Sequence, residues 1–396
     1  MTEEPPENRR LWLVTILTFV GLEAVGFQMR GALVPELKQQ FAVSASMLGL
    51  VAPAGTVGFV LCVVVMGTVA GRVNMKRFLL VGSLIVSACM FVMGLAPTFV
   101  AFLGALFVRG VATGLFRGLD RPILSHLYPT SRGRIFNMYD LAWAVGATIG
   151  PLLVTASVAA GSWQFAYLGL AVTFVPVAIL VSRTDLPLEP GTEEELDLGA
   201  LRHIIRKTGI VGMAVAMFIG GGVEGGIFTW LPYYVGKSFS QSSANSVLSL
   251  FLVSYVPGRL VYTYISERVQ YINLVITIGV LLVPTAYVVF STSTWVVLLA
   301  GIALMGVLQS GIYPNMVAFG VETSPEFSGP VNAIATSAFY AGMASFPVLM
   351  GFIADYRDIF LSMKLIIVLA TLFASIVVVT KLVDQRTGQS SVPAQG

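Results

Sequence analysis

The chain has 396 residues, of which 56% are hydrophobic and only 11% are charged, and its mean hydropathy is +0.85. Soluble globular proteins carry about 25% charged residues, so this composition excludes that class and favours a chain that lies mostly in lipid. The formal net charge of +3 is too small to indicate a nucleic-acid partner. The two cysteines, Cys62 and Cys89, lie in apolar segments and predict neither a disulfide framework nor a metal site.

Apolar stretches of about twenty residues predict helices that cross a membrane. Twelve are found, here called spans 1 to 12: 11–35, 44–70, 78–97, 100–127, 134–160, 163–183, 209–236, 243–266, 271–290, 294–321, 330–354 and 360–381. A polar linker containing PLEPGTEEELD separates spans 6 and 7. We therefore predict an all-α membrane protein with a six-helix bundle (1–183), a linker (184–208) and a second six-helix bundle with a short tail (209–396).

Lysine and arginine residues in the short loops predict the orientation, because cytoplasmic loops carry an excess of both. One side of the membrane collects Arg9, Arg10, Arg72, Lys76, Arg77, Arg132, Arg134, Arg183, Arg202, Arg206, Lys207, Arg268, Lys381 and Arg386. The other side holds little beyond Lys38, Lys237 and Arg357. We expect a multi-pass protein of the cell (inner) membrane with both termini and the linker in the cytoplasm.

The two halves resemble each other in the spacing of glycine and proline. Span 5 contains GRIFNMYDLAWAVGATIGP, and span 11 contains GPVNAIATSAFYAGMASFP with the same interval between its first glycine and its last proline. In span 4 Gly114 precedes Pro122 by the interval that separates Gly306 from Pro314 in span 10. The common offset of about 190–200 residues predicts a duplication, as in transporters built from parallel repeats.

Four acids fall within predicted spans: Glu23, Asp120, Asp140 and Glu224. Glu23 and Glu224 occupy about the same place in the two copies, within VGLEAVGF and GGVEGGIF. A carboxylate in hydrocarbon costs roughly 2.5–3.5 kcal/mol on insertion scales, and burial favours its neutral form. We therefore consider all four as proton-coupling groups. For Glu224, a solute or proton site and a purely structural acid both remain open.

Span 4 is unusually charged, and it allows two interpretations. Arg117 and Asp120 are i,i+3 neighbours that can form an internal ion pair. Alternatively, a free Arg109 or Arg117 recognises a carboxylate or phosphate with its planar donor fork, and the solute is then an organic anion. Arg259 in span 8 lies about two turns from the predicted cytoplasmic end, where gating and snorkelling are both open.

Signatures of enzymes are missing from the sequence. It has no Walker loop for phosphate, no metal-ligand cluster and no nucleophile elbow. The stretch GGGVEGG lies within a membrane span and lacks the strand–turn–helix context of a dinucleotide loop. We therefore predict a protein that is not an enzyme, needs no cofactor and does not use ATP as its driving force.

Several motifs carry a resemblance to the major facilitator superfamily over essentially the whole chain. GTVAGRVNMKR resembles the family's loop 2–3 signature, although Gly71 stands where an aspartate is usual. VRGVATG and AVGATIGP resemble its helix 4 and helix 5 motifs. The resemblance implies a secondary transporter of two six-helix pseudo-repeats. It also implies a charge network or gate, for which the candidates are Arg72, Arg109, Arg117, Arg259 and Glu267.

Spans 7, 8 and 10 are similar to the fucose–galactose–glucose proton symporter branch of this family. The similar stretches are GGVEGGIFTWLPYYV, PGRLVYTYISERV and GVLQSGIYPNMVAFGVE. This resemblance implies an acid at the level of Asp120 and another at Glu224. Polar and aromatic residues of the spans would complete a sugar site. The substrate-binding candidates are Glu224, Trp230, Gln309, Asn332, Trp143, Gln28 and Asn315.

Three functional hypotheses follow. The first is proton-coupled symport of a small polar solute such as a hexose by a monomer in the lipid bilayer. The second is an organic-anion or drug carrier that uses Arg109 and Arg117. The third is a membrane receptor or scaffold of the same fold that does not transport.

Overall fold

The computed structural model describes residues 7–69, 74–128, 132–186, 207–266, 268–324 and 328–387, and in these ranges every regular element is a helix. We number the helices in chain order. The first nine are α1 (Glu7–Ala32), α2 (Val34–Phe41), α3 (Ala45–Gly49), α4 (Val51–Val69), α5 (Met75–Gly94), α6 (Phe99–Arg117), α7 (Asp120–Leu127), α8 (Arg132–Ala159) and α9 (Gln164–Arg183). The others are α10 (Thr208–Gly236), α11 (Gln241–Val253), α12 (Tyr255–Ser266), α13 (Tyr271–Val289), α14 (Trp295–Thr323), α15 (Ser328–Tyr356) and α16 (Ile359–Thr387).

The twelve predicted spans are confirmed in this part of the chain, where twelve helical stretches are long and apolar enough to cross a membrane. Span 2 begins in α3 and continues in α4, span 4 combines α6 with α7, and span 8 combines α11 with α12. The short helix α2 was not predicted as a separate element. Pro35 cannot continue α1, because it has no N–H to donate, but it fits the first turn of a new helix.

Two prolines coincide with breaks inside spans. Pro122 has no N–H to bond the carbonyl of Gly118, and α6 gives way to α7 at Gly118 and Leu119. In span 8, Pro257 likewise leaves the Val253 carbonyl without its helical donor, and α11 ends at that residue. Pro314, the repeat partner of Pro122, lies inside the continuous helix α14. The break in span 4 is therefore a difference between the two copies.

The duplication is confirmed at the level of single contacts. A Cβ atom on Gly114 would meet the carbonyl oxygen of Phe59, and one on Gly306 would meet the carbonyl oxygen of Phe251. The same interval of 192 residues separates Gly114 from Gly306 and Phe59 from Phe251. Spans 2 and 4 therefore cross as spans 8 and 10 do, and the predicted fold class of two six-helix pseudo-repeats is correct.

Glycines also set the crossing of the first and fifth span of each copy. A Cβ on Gly146 of α8 would overlap the carbonyl oxygen of Gly21 in α1. A Cβ on Gly342 of α15 would overlap the carbonyl oxygen of Phe218 in α10. Small residues let backbones approach closely in lipid, where dispersion rather than the hydrophobic effect drives helix association. These crossings hold the helices that carry Glu23 and Glu224.

The chain divides into two compact units, one of residues 1–195 with 228–249 and the other of residues 196–227 with 250–396. Polar contacts attach the segment 228–249 to the first unit. Lys38 Nζ donates to the Tyr233 hydroxyl at 2.9 Å, and Asn245 Nδ2 donates to Thr155 Oγ1 at 3.0 Å. Most of the predicted linker lies outside the described residues, so the division of the chain at 184–208 stays a prediction.

We expect Gly146→Ala to lower the free energy of unfolding by about 1–3 kcal/mol, the usual cost of overpacking. The added methyl group has to displace the backbone of α1 at Gly21. Unfolding of the purified protein in detergent micelles measures the change. The matched control is Gly104→Ala in α6, where a Cβ meets nothing within 4 Å. Equal loss of stability in both variants would contradict the close approach of α1 and α8.

Candidate functional site

Two buried carboxylates, one in the first span of each copy, contact other candidate site residues. Glu23 in α1 is 5% exposed and Glu224 in α10 is 8% exposed. Their local sequences are alike, yet the structure surrounds them differently.

Glu23 is paired with two arginines of α6. Arg109 Nη2 lies 3.3 Å from Glu23 Oε1 and 3.2 Å from the backbone carbonyl oxygen of the same residue. Arg117 Nη1 lies 3.2 Å from Glu23 Oε2. Phe19 stacks on Phe116 close by in the same two helices, so the pairs lie in an apolar setting. Glu23 is thus held between two permanent cations.

Arg117 also connects Glu23 to Asp120, which is fully buried. Arg117 Nε lies 3.5 Å from Asp120 Oδ2, the Tyr139 hydroxyl donates to that oxygen at 2.6 Å, and the backbone N–H of Arg121 donates to Asp120 Oδ1 at 2.6 Å. We call Glu23, Arg109, Arg117, Asp120 and Tyr139 the N-terminal charge cluster. Its two anions balance its two cations, and of the two interpretations of span 4 the structure shows the internal ion pair.

Glu224 is surrounded by neutral partners. The Tyr255 hydroxyl donates to Glu224 Oε2 at 2.9 Å. Gln309 Nε2 lies 3.4 Å from the same oxygen and also donates to the Gly220 carbonyl at 3.1 Å. We call Glu224, Tyr255 and Gln309 the C-terminal acid site. Over the described ranges, no lysine or arginine forms an ion pair with Glu224.

A cation close to this site is Arg259, one turn beyond Tyr255 on α12. Its guanidinium carbon lies 5.9 Å from the centre of the Tyr255 ring, and the side chain is half-buried. The Gln309 Oε1 atom is buried without a hydrogen-bond partner, so an acceptor remains available beside the carboxylate.

Glycine-rich sequence in α10 makes the placement of Glu224 possible. Cβ atoms on Gly221 and Gly225, one turn apart, would overlap or crowd the backbone of α15 at Phe339 and Met343. This stretch of α10 therefore lies directly against α15, while the partners of Glu224 come from α12 and α14. Tyr255 is the second residue after the break at Val253, so the interruption of span 8 positions the donor hydroxyl.

Asp140, the fourth predicted acid, and Trp143 lie on a partly exposed part of α8. Asp140 is 43% exposed in its side chain and pairs with Arg121, whose side chain is 44% exposed, at 3.0 Å. Asp140 therefore lies in a partly exposed ion pair, and its proton-coupling role stays a prediction. Trp143, one turn further along α8, is half-buried.

The remaining candidates for substrate contact are spread along four helices. Trp230 is fully buried and meets Tyr233 edge to face, with ring centres 6.0 Å apart. Asn315 is buried and donates to the Gly311 carbonyl of its own helix at 2.7 Å. Gln28 is buried with its Nε2 atom unpaired, and Asn332 is exposed. Arg72 and Glu267 lie outside the described residues. The substrate-binding roles of Trp230, Asn315, Gln28 and Asn332, and the gating roles of Arg72 and Glu267, stay predictions.

Sequence reasoning missed both tyrosines of the two clusters. Tyr139 directly precedes Asp140 in the span 5 motif, and it donates to Asp120 rather than to its neighbour. Tyr255 stands two residues before Pro257, where a proline inside an apolar span signals a local break. A tyrosine beside such a break is the signal that could have indicated a donor for the buried acid.

We expect Arg117→Gln to destabilise the protein by about 3–5 kcal/mol, because removing one member of a buried ion pair leaves charge uncompensated. Both Glu23 and Asp120 lose a guanidinium partner in this variant. The matched control is Arg121→Gln, which breaks the exposed pair with Asp140 and should cost about 0–1 kcal/mol. Thermal unfolding in detergent compares the two variants. Similar small losses would show that the N-terminal charge cluster does not stabilise the fold.

Comparisons with known proteins agree with this architecture. The model of the Major Facilitator Superfamily matches residues 11–241 and 213–395. A protein TsgA homolog of Serratia proteamaculans is 23% identical over 70% of this chain and 71% of its own. One from Yersinia enterocolitica is 22% identical over the same shares.

Solved structures show the same fold at low identity. A bacterial homolog of the human lysosomal transporter Spinster, inward-facing and unoccupied, superposes with a TM-score of 0.82 at 14% identity, over 99% of this chain and 100% of its own. The nucleoside transporter NupG reaches 0.78 at 13% identity, over 94% and 99%. The family match covers both copies of the duplication. The chain is therefore a multi-pass membrane transporter, not an enzyme, and it belongs to the major facilitator superfamily.

Proposed function

We propose that the protein is a proton-coupled symporter of a small neutral polar solute such as a hexose. It would work by alternating access in the cell inner membrane, as a monomer with both termini in the cytoplasm. The observation that carries this proposal is the C-terminal acid site. There a buried carboxylate has hydrogen-bond donors but, among the described residues, no ion-paired cation.

A carboxylate in this position can exchange a proton. Burial without a counter-ion penalises the charged form, while the donors from Tyr255 and Gln309 keep that form accessible. When ionised, Glu224 only accepts hydrogen bonds; once protonated, it can also donate one. Any difference in this environment between outward and inward states would couple proton occupancy to the conformational equilibrium.

A neutral solute is favoured by the state of the arginines. Arg109 and Arg117 already pair with Glu23 and Asp120 in a balanced cluster. A carboxylate or phosphate would have to compete with those acids for the guanidinium groups. In the second unit, the unpaired Gln309 Oε1 is suited to accept a hydrogen bond from a solute hydroxyl. Hexoses and nucleosides both carry such hydroxyls, and one structural neighbour is named a nucleoside transporter.

The experiment is proton movement in proteoliposomes that enclose a pH-sensitive dye, with hexoses, nucleosides and organic anions offered in turn. We expect a neutral solute to draw protons inward, so that the enclosed dye reports acidification of the lumen. Glu224→Gln should abolish this proton movement, because the amide cannot take up or release a proton. Exchange of labelled solute across the membrane should survive in the variant, since glutamine resembles the protonated acid in shape.

The matched control is Glu322→Gln, which removes an exposed glutamate near the end of α14. It should leave proton movement unchanged. Flux driven only by anions and insensitive to Glu224→Gln would overturn the proposal in favour of an anion carrier. Solute binding without any flux would identify a receptor instead.

A further inference from the structure

The repeat relates Gln309 to an arginine of the first copy. The interval of 192 residues that joins Gly114 to Gly306 also joins Arg117 to Gln309. In each copy, this position of the fourth span reaches the acid of the first span. Arg117 Nη1 lies 3.2 Å from Glu23 Oε2, and Gln309 Nε2 lies 3.4 Å from Glu224 Oε2. The geometry has been kept while the charge of the partner has changed.

This change of partner has a direct chemical consequence. A guanidinium group keeps its charge in proteins and offers donors only, so Arg117 stabilises Glu23 in the ionised form alone. A glutamine amide carries no charge and offers both donors and an acceptor. Gln309 can donate to ionised Glu224 through Nε2, and its unpaired Oε1 is an acceptor for the protonated acid.

We propose that residue 309 selects the coupling acid of this transporter: glutamine there leaves Glu224 able to exchange a proton, whereas arginine at the equivalent position 117 binds Glu23 in an ion pair. The inference rests on the proposed function in taking Glu224 as the coupling group. It adds a residue that distinguishes the two duplicated acids, in addition to Arg109, which also pairs with Glu23. Gln309 is in this sense a positioning residue, which acts through Glu224.

The groups around the two acids agree with this assignment. Glu224 faces Tyr255 and, further away, Arg259 from α12, and Gln309 from α14. The side chains that α15 and α16 place against the neighbouring glycines of α10 are apolar, including Phe346 against Gly222. The charged side chains described on α14, α15 and α16 lie towards the helix ends: Glu322, Asp355, Lys364, Lys381 and Asp384. Arg357 and Asp358 lie in the connection between α15 and α16.

Around Glu23 the facing groups differ in charge. Arg109 and Arg117 approach it from α6, and Asp120 lies beyond Arg117. From α8, Tyr139 contacts Asp120. The first acid thus has two direct cations, and the second has none among the described residues.

Labelling with a hydrophobic carbodiimide, which reacts with protonated carboxyl groups, tests the proposal without any transport assay. The full-length protein in detergent is labelled over a range of pH, and the adducts are located by mass spectrometry of its peptides. We expect an adduct at Glu224 that fades as the pH rises, and none at Glu23. Gln309→Arg should reduce labelling of Glu224 by roughly tenfold or more, because an adjacent cation stabilises the ionised form.

Gln309→Lys provides a second cation in case the arginine variant does not fold, and Gln309→Met is the neutral control of similar length. The methionine variant should keep the Glu224 adduct, since it removes a hydrogen bond without adding charge. Equal labelling of Glu224 in wild type and in a folded cationic variant would overturn the inference. So would labelling of Glu23 as strong as that of Glu224.

The labelling experiment and the proton-flux experiment can fail independently of each other. Expected labelling with no proton flux for any solute would sustain the role of residue 309 in setting the charge of Glu224 while refuting symport. Solute-driven proton flux that persists in a folded Gln309→Arg protein would support symport while refuting the role of residue 309.

Discussion

A carboxylate inside an apolar protein has to be paired with a cation or be able to bind a proton, and this constraint organises the structure. A charge that is moved into an apolar interior loses its hydration, so an unpaired ionised acid carries its full desolvation cost. Glu23 and Glu224, which occupy duplicated positions, have different partners. Glu23 is enclosed by two guanidinium groups, whereas Glu224 has a tyrosine hydroxyl and a glutamine amide.

Helix packing makes both arrangements possible. Glycines at the crossings of the first and fifth spans bring backbones together at distances that no larger residue allows. The crossings of the second and fourth spans repeat in the same way, with Gly114 and Gly306 at equivalent places. Because these contacts are shared, the fourth span presents its side chain to the acid of the first span in each copy. The electrostatics differ because Arg117 stands in the first copy where Gln309 stands in the second, and because Arg109 adds a second cation beside Glu23.

The two copies therefore suit different tasks. The N-terminal charge cluster is balanced in charge, and it ties α1, α6, α7 and α8 together across the break before Asp120. The C-terminal acid site joins α10, α12 and α14 through neutral groups that can serve either protonation state of Glu224. The first bundle thus holds a charge-balanced cluster, and the second holds an acid whose direct partners are neutral.

The membrane class, the twelve spans, the duplication and the two acids follow from the sequence alone, because bilayer thickness sets the length of apolar stretches and the repeat is visible as a common offset. The sequence alone does not determine the proline break in span 4 or the partners of each acid. Glu23 pairs with arginines 86 and 94 residues away, and Glu224 bonds residues 31 and 85 positions away. The local sequence pattern does not indicate contacts between residues so far apart in the chain. Only the packing of helices decided that one acid has cations beside it and the other has neutral donors.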